Sequence, residues 1–217
     1  MAKQLRIFVP PHPLIQHWLG IARDAAAPPK VFRQTMAELG KWLTYEAIRD
    51  WLPTVEIEVN TPVAPAKATF INPQTPMAIV PILRAGLSLM EGIQSVLPLE
   101  TSIYHLGLVR NEETLKPTCY LNKLPDRIPP ESLILIAEPM LATGGSLMFA
   151  LAELVKRGAD HSNIRVISIV AAPPALQKLA IAYPDLQIYA AMIDETLNDQ
   201  GFISPGLGDV GDRVFGT

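Results

Sequence analysis

The chain has 217 residues, 49% of them apolar and 18% charged, with a formal net charge of −3. That length fits one large domain, or a core with a modest subdomain, and the apolar content is enough for a sizeable core. The slight acidity argues against nucleic acid as a partner, the single Cys119 excludes an internal disulfide framework or Cys-rich zinc site, and Arg84 breaks the best candidate for a membrane-spanning run.

Met1–Arg6 leads into no long apolar stretch, so no signal peptide is expected, and with one cysteine the chain reads as cytoplasmic. The low charged fraction suits burial of some surface between subunits. The front of the chain reads as irregular, with Asp24 placed to cap a short turn and a boundary at Pro28-Pro29. Apolar residues from Val31 to Trp51 recur at helical spacing. Val55–Val59 alternates with period two, as in a half-exposed strand, and the Pro-rich stretch 61–76 reads as loops and edge strands.

From Met77 the pattern changes to short apolar runs separated by helical segments. Strands are expected at Met77–Pro81, Tyr104–Val109, Leu133–Ala137, Ile164–Ala171 and Gln187–Met192. Helices are expected after Leu83-Arg84-Ala85-Gly86 through about Val96, from Ser146 to Lys156-Arg157-Gly158, and from Leu176 to Tyr183, the second ending in the basic residues and glycine that stop helices. This alternation predicts an α/β fold, a mainly parallel sheet with helices on both faces. Ligands of such sheets sit beyond the carboxyl ends of the strands, which puts Arg84, Arg110, Glu138, Ala172 and Asp194 on the functional rim.

Residues 133–146 carry the most chemistry: an apolar strand, one acid at Glu138, then Pro139-Met140-Leu141-Ala142 and Thr143-Gly144-Gly145-Ser146 before a helix. Unpaired amides of a Gly-rich turn at a helix N-terminus suit a phosphate, and an acid at the strand end suits hydroxyls such as those of a ribose. The loop lacks the Gly-Lys-Ser/Thr ending of a triphosphate loop and the spaced glycines of a dinucleotide site. By themselves the same residues would equally serve a plain strand–helix connection, with Thr143 or Ser146 as N-cap.

Arg84 is a charge in an apolar neighbourhood and needs an anion, from a ligand or from a protein carboxylate. Arg110 opens the polar segment Arg-Asn-Glu-Glu-Thr-Leu-Lys-Pro, which reads either as a loop closing over substrate or as a surface arm. The Gly-rich tail from Gly201 to Arg213 would bring backbone groups close to a flat ligand, and Phe202, Ile203, Leu207 and Val214 argue that it packs. His12, His17, His105 and His161 lack metal-ligand spacing, and the first two fit N-terminal packing.

These segments together resemble the uracil phosphoribosyltransferases, a family of type I phosphoribosyltransferases, over nearly the whole chain. The resemblance rests on His12–His17, Leu43–Ala47, Val80–Gly86, Arg110–Pro117, Pro139–Ser146, Pro205–Asp209 and Gly211–Thr217. It implies a single domain over 1–217, with a core at about 77–195 and a small hood built from the N-terminal segment and 196–217. The implied reaction is uracil + 5-phosphoribosyl 1-diphosphate → UMP + diphosphate, with Mg²⁺. In this resemblance Thr143, Gly144, Gly145 and Ser146 hold the 5-phosphate, with Pro139, Met140, Leu141 and Ala142 in the same loop, and Glu138 takes the ribose hydroxyls. Arg84 and Arg110 contact the diphosphate, Asp209 lies near the diphosphate-bound metal or the ring, and Ile203, Gly208 and Val210 read uracil through the backbone. A homodimer or higher homo-oligomer and a possible allosteric nucleotide such as GTP are also implied.

Four positions depart from the family pattern. Glu138 stands where Asp is usual, Ser88 where Gly is, Val109 where an aromatic is common, and Val210 where Ala is usual. They motivate two alternatives: a weak or inactive homologue that binds nucleotide or phosphoribosyl diphosphate as a regulator, and the same chemistry on another base.

Overall fold

The computed structural model describes residues 4–98, 100–110 and 117–217, with the Arg110 side chain outside that set. The chain begins with strand β1 (Arg6–Phe8) and helices α1 (Pro13–Arg23) and α2 (Pro29–Ile48). The front of the chain is therefore regular, contrary to the sequence expectation. Ile15, Leu19 and Ala22 give α1 a buried stripe, and the His12 ring accepts the Leu14 N–H at 3.2 Å as its N-cap. Asp24 holds the turn that follows, its carboxylate accepting from Ala26 N–H at 2.9 Å. Helix α2 starts at Pro29, whose fixed φ and missing N–H cost nothing in a first turn.

Strands β2 (Thr54–Asn60) and β3 (Pro65–Ile71) form an antiparallel hairpin of their own. Next come β4 (Met77–Leu83), a 3-10 turn at Ala85–Leu89 and the short helix α3 (Met90–Gln94) in place of one continuous helix to Val96. The Ser88 hydroxyl bonds back to the Ala85 carbonyl at 2.7 Å, a three-residue spacing that fits the tighter turn. Strands β5 (Ser102–Ile103), β6 (Leu106–Arg110) and β7 (Pro117–Asn122) follow, then β8 (Leu133–Ala137), β9 (Met140–Leu141) and α4 (Gly145–Lys156). The remainder is β10 (Ile164–Ala171), α5 (Pro173–Ala182), β11 (Gln187–Ile193), β12 (Thr196–Leu197), β13 (Ile203–Ser204) and α6 (Val210–Phe215). Helix α5 begins three residues before the expected Leu176, because Pro173 and Pro174 suit its first turn.

The main sheet runs β1-β11-β10-β8-β4-β6-β7, with β5 beside β4 and β9 beside β10, and only β6–β7 is antiparallel. Every residue of β8 and β10 is buried, as expected of central parallel strands covered on both faces. Pro81 survives in β4 because its neighbour changes there, from β5 at Ala78–Ile79 to β6 from Ile82.

Alternate strand residues feed two cores. Ile79, Leu135, Ile167 and Tyr189 pack with α1, α2, α3 and α6 on one face. Val80, Ile136, Val166 and Ile188 pack with α4 and α5 on the other. Among the described residues no helix is long and apolar enough to cross a membrane.

Candidate active site

An open cleft of about 250 Å³ lies beyond the carboxyl ends of β4 and β8, lined by Ala85 and Glu138, where strand polarity predicts a ligand. One wall is Glu138 with Met140–Leu147, and the facing wall is 201–203 with 208–211. Of the candidate site residues, Glu138, Met140, Leu141, Ala142, Thr143, Gly144, Gly145, Ser146, Ile203, Gly208, Asp209 and Val210 line one cavity.

The loop expected to hold phosphate is built by backbone. Gly144 is the N-cap of α4 at φ +76°, a left-handed conformation that L side chains adopt at a cost. No side chain caps this helix, so neither Thr143 nor Ser146 plays that role. The first residues of α4 line the cleft, and their amides have no intrahelical acceptor, with the positive end of the helix dipole behind them. From the neighbouring helix α5, Lys178 donates to the Thr143 carbonyl at 2.7 Å and ties the loop down.

Glu138 sits at the end of β8, buried. Desolvation pushes its carboxyl pKa up to about 8, opposed only in part by a hydrogen bond from the Met140 N–H. Its own N–H donates to the Ile167 carbonyl at 3.1 Å, which fixes the residue against β10.

Asp209 is exposed and caps α6, accepting the Asp212 N–H at 3.0 Å, while Val210 beside it is buried as the first helical residue. The tail is thus a β12–β13 hairpin, a turn and a short helix, where the sequence suggested only a packed Gly-rich segment.

Two predicted residues do not line the cleft. Pro139 is buried beneath it, its carbonyl accepting from Ile169 N, Val170 N and Ser168 Oγ. Arg84 lies at the rim, its guanidinium 3.0 Å from Asp212 and over the Phe215 ring at 5.7 Å. The Arg110 backbone ends β6 on the same rim, but its side chain and the loop 111–116 lie outside the described residues. The structure adds Ala85, Leu147 and Gly211 to the lining, and Gly201 and Phe202 from the tail. Ala85 and Gly211 adjoin predicted residues. Leu147 carried no signal, since its side chain reads as core.

A glycine turn at a helix start, an acid at a strand end and a backbone-rich wall opposite thus share one cleft. The family model for uracil phosphoribosyltransferase matches residues 9–217. The chain belongs to this family. A Nostoc sp. uracil phosphoribosyltransferase is 65% identical over the full length of both chains. That of Nicotiana tabacum is 54% identical, covering 99% of this chain and 95% of its own. Among solved structures, the AQ2163 protein from Aquifex aeolicus is 38% identical, with a TM-score of 0.88 over 96% of this chain and 97% of that one. Family membership makes the chain a transferase of the pentosyl class.

Proposed function

We propose that the chain is a working uracil phosphoribosyltransferase, converting uracil and 5-phosphoribosyl 1-diphosphate to UMP and diphosphate in pyrimidine salvage. The carrying observation is the uncapped N-terminus of α4 in one cleft with Glu138 and the 201–211 segment. In this reading the amides of Thr143–Ser146 bind the 5-phosphate and Glu138 accepts hydrogen bonds from the ribose hydroxyls. Ile203, Gly208 and Val210 meet the base. As the C1–oxygen bond to diphosphate breaks, C1 gains oxocarbenium character and uracil N1 attacks from the opposite face. Arg84 and Arg110 stabilise the charge that collects on the leaving diphosphate. Catalysis is then positioning and charge stabilisation, with no nucleophilic side chain required.

The donors near the cleft fit a substrate-borne Mg²⁺. Among the described residues no cluster of three metal-ligating side chains exists, and Mg²⁺ usually needs only one or two carboxylates besides phosphate oxygens. Asp209 would hold it, and the ion would neutralise charge on the diphosphate. We assign the whole chain to one domain, the core at about 77–195 carrying the phosphate loop and a hood formed by the N-terminal segment and 196–217, the latter carrying the base loop. The assembly we favour is a homodimer or higher homo-oligomer. It is supported by the β2–β3 hairpin, which leaves Ile57, Val63 and Phe70 exposed although a lone hairpin is marginal in water. Cytoplasmic location and a regulatory purine nucleotide such as GTP belong to the same reading.

Incubation of the pure protein with uracil, phosphoribosyl diphosphate and Mg²⁺ is expected to yield UMP; no product over a range of pH would overturn the assignment. The regulatory alternative draws on Glu138, a buried carboxyl without a cationic partner among the described residues. It requires tight ligand binding without turnover, and a rate gain on the order of 10²-fold in Glu138→Asp as the carboxylate shifts by ~1 Å.

A further inference from the structure

Asp194 follows β11 on the functional rim, is 5% exposed, and takes no part in the reaction described above. Its carboxylate accepts two hydrogen bonds from Arg23 of α1, at 2.7 and 3.0 Å, and a third from the Gly206 N–H at 2.8 Å. Arg23 Nη1 also donates to the Gly206 carbonyl at 3.0 Å. Both polar groups of Gly206 are therefore consumed by one ion pair. The next carbonyl, Leu207, accepts from Arg213 at 2.8 Å, and the same guanidinium bonds the Ala22 and Asp24 carbonyls at the end of α1. Arg213 is seated over the Phe32 ring at 3.9 Å. On the far side, the Asp209 carbonyl accepts the Arg213 N–H.

Gly208 is what this anchoring leaves open. It lines the cleft at φ +69°, and neither its N–H nor its C=O bonds another described residue. A Cβ there would meet only Arg213 Cδ, at 3.8 Å, so the glycine serves conformation and not space. A base with a donor and an acceptor on one edge needs a peptide whose own groups are free and whose neighbours cannot turn.

We propose that Arg23 and Asp194 are positioning residues for base recognition: the pair fixes Gly206 so that the Gly208 peptide presents its hydrogen-bonding groups to uracil. This rests on the proposed placement of uracil against 203–210. The pair acts through the loop backbone and touches no substrate, so its loss is felt in base affinity before anything else.

The test is steady-state kinetics with uracil and phosphoribosyl diphosphate varied separately, beside thermal melting, on the wild type, Arg23→Lys, Asp194→Asn and the control Arg33→Gln. Arg33 straps α2 to α6 through the Val214 carbonyl at 2.8 Å without touching the loop. Lys keeps the charge of Arg23 but loses the two-pronged fork. The expected result is a rise of about tenfold in KM for uracil in Arg23→Lys and Asp194→Asn, with KM for phosphoribosyl diphosphate held within about twofold. Arg33→Gln is expected to lower Tm and leave KM for uracil unchanged. Equal rises in both KM values, or an unchanged KM for uracil in a folded variant, would overturn the proposal. If Asp194→Asn does not fold, Arg23→Lys decides. A wild type that makes no UMP would instead overturn the functional assignment itself.

Discussion

Glu138 closes a strand in which every side chain is buried, and burial has a direct consequence for proton binding. In the unfolded chain its carboxyl titrates near 4.5, and in the fold it is raised to about 8. Between those values the native state holds the extra proton, so unfolding free energy falls as pH rises. The stabilising contribution is complete below about pH 4.5 and is lost as pH climbs to 8, a change of several kcal/mol at most. Glu138→Gln, which mimics the protonated form, is expected to flatten this slope, seen as a smaller drop in Tm between pH 5 and pH 8. A carboxylate that accepts from ribose hydroxyls must be ionised, so kcat/KM for phosphoribosyl diphosphate is expected to rise toward a plateau above about pH 8. Arg84 illustrates the opposite balance. Its partner Asp212 is as exposed as it is, and such pairs contribute only about 0–1 kcal/mol. Arg84→Ala is therefore expected to leave Tm within a few degrees while lowering kcat by on the order of 10²-fold, separating charge stabilisation from folding.

The proposed anion site of helix α4 depends on an omission, since a capping side chain would have taken amides that a phosphate needs. Gly144→Ala puts a Cβ 3.2 Å from the Ala175 Cα and asks an L residue to hold φ +76°. A stability loss of about 1–2 kcal/mol is expected, together with a raised KM for phosphoribosyl diphosphate. Lys178→Met frees the Thr143 carbonyl and is expected to raise the same KM with little change in Tm. These elements were legible in the sequence because their signals are local: five buried apolar residues, one acid, a Gly-Gly turn and a helix with basic and glycine stops. The tail was legible as a packed segment but not as a helix, because α6 is only six residues long and is held by distant partners such as Arg33 and Phe32. Strand β1, with three residues, is too short to show a period. Helix α1 does carry its pattern at Ile15, Leu19 and Ala22, but Pro11, Pro13 and Gly20 obscured it. The placement of Pro139 below the cleft and of Arg84 beside Asp212 depends on contacts across the fold, which no motif records.

At the scale of the molecule, the sheet divides the apolar residues into a face covered by α4 and α5 and one covered by α1, α2, α3 and α6. The β2–β3 hairpin belongs to neither core. A second copy of the chain is the proposed cover for its exposed Ile57 and Phe70. Replacing both by Ser is accordingly expected to shift the species seen by sedimentation toward monomer, without unfolding the core. The straps from Arg23, Arg33 and Arg213 join residues near the start of the chain to residues near its end. During synthesis on the ribosome the wall proposed to bind phosphate therefore emerges while the opposite wall is still unmade. The helices α1 and α2 emerge first and wait for the final residues to complete their packing. A polypeptide cut short near residue 200 would thus keep the residues of the proposed anion site and lack those proposed to choose a base.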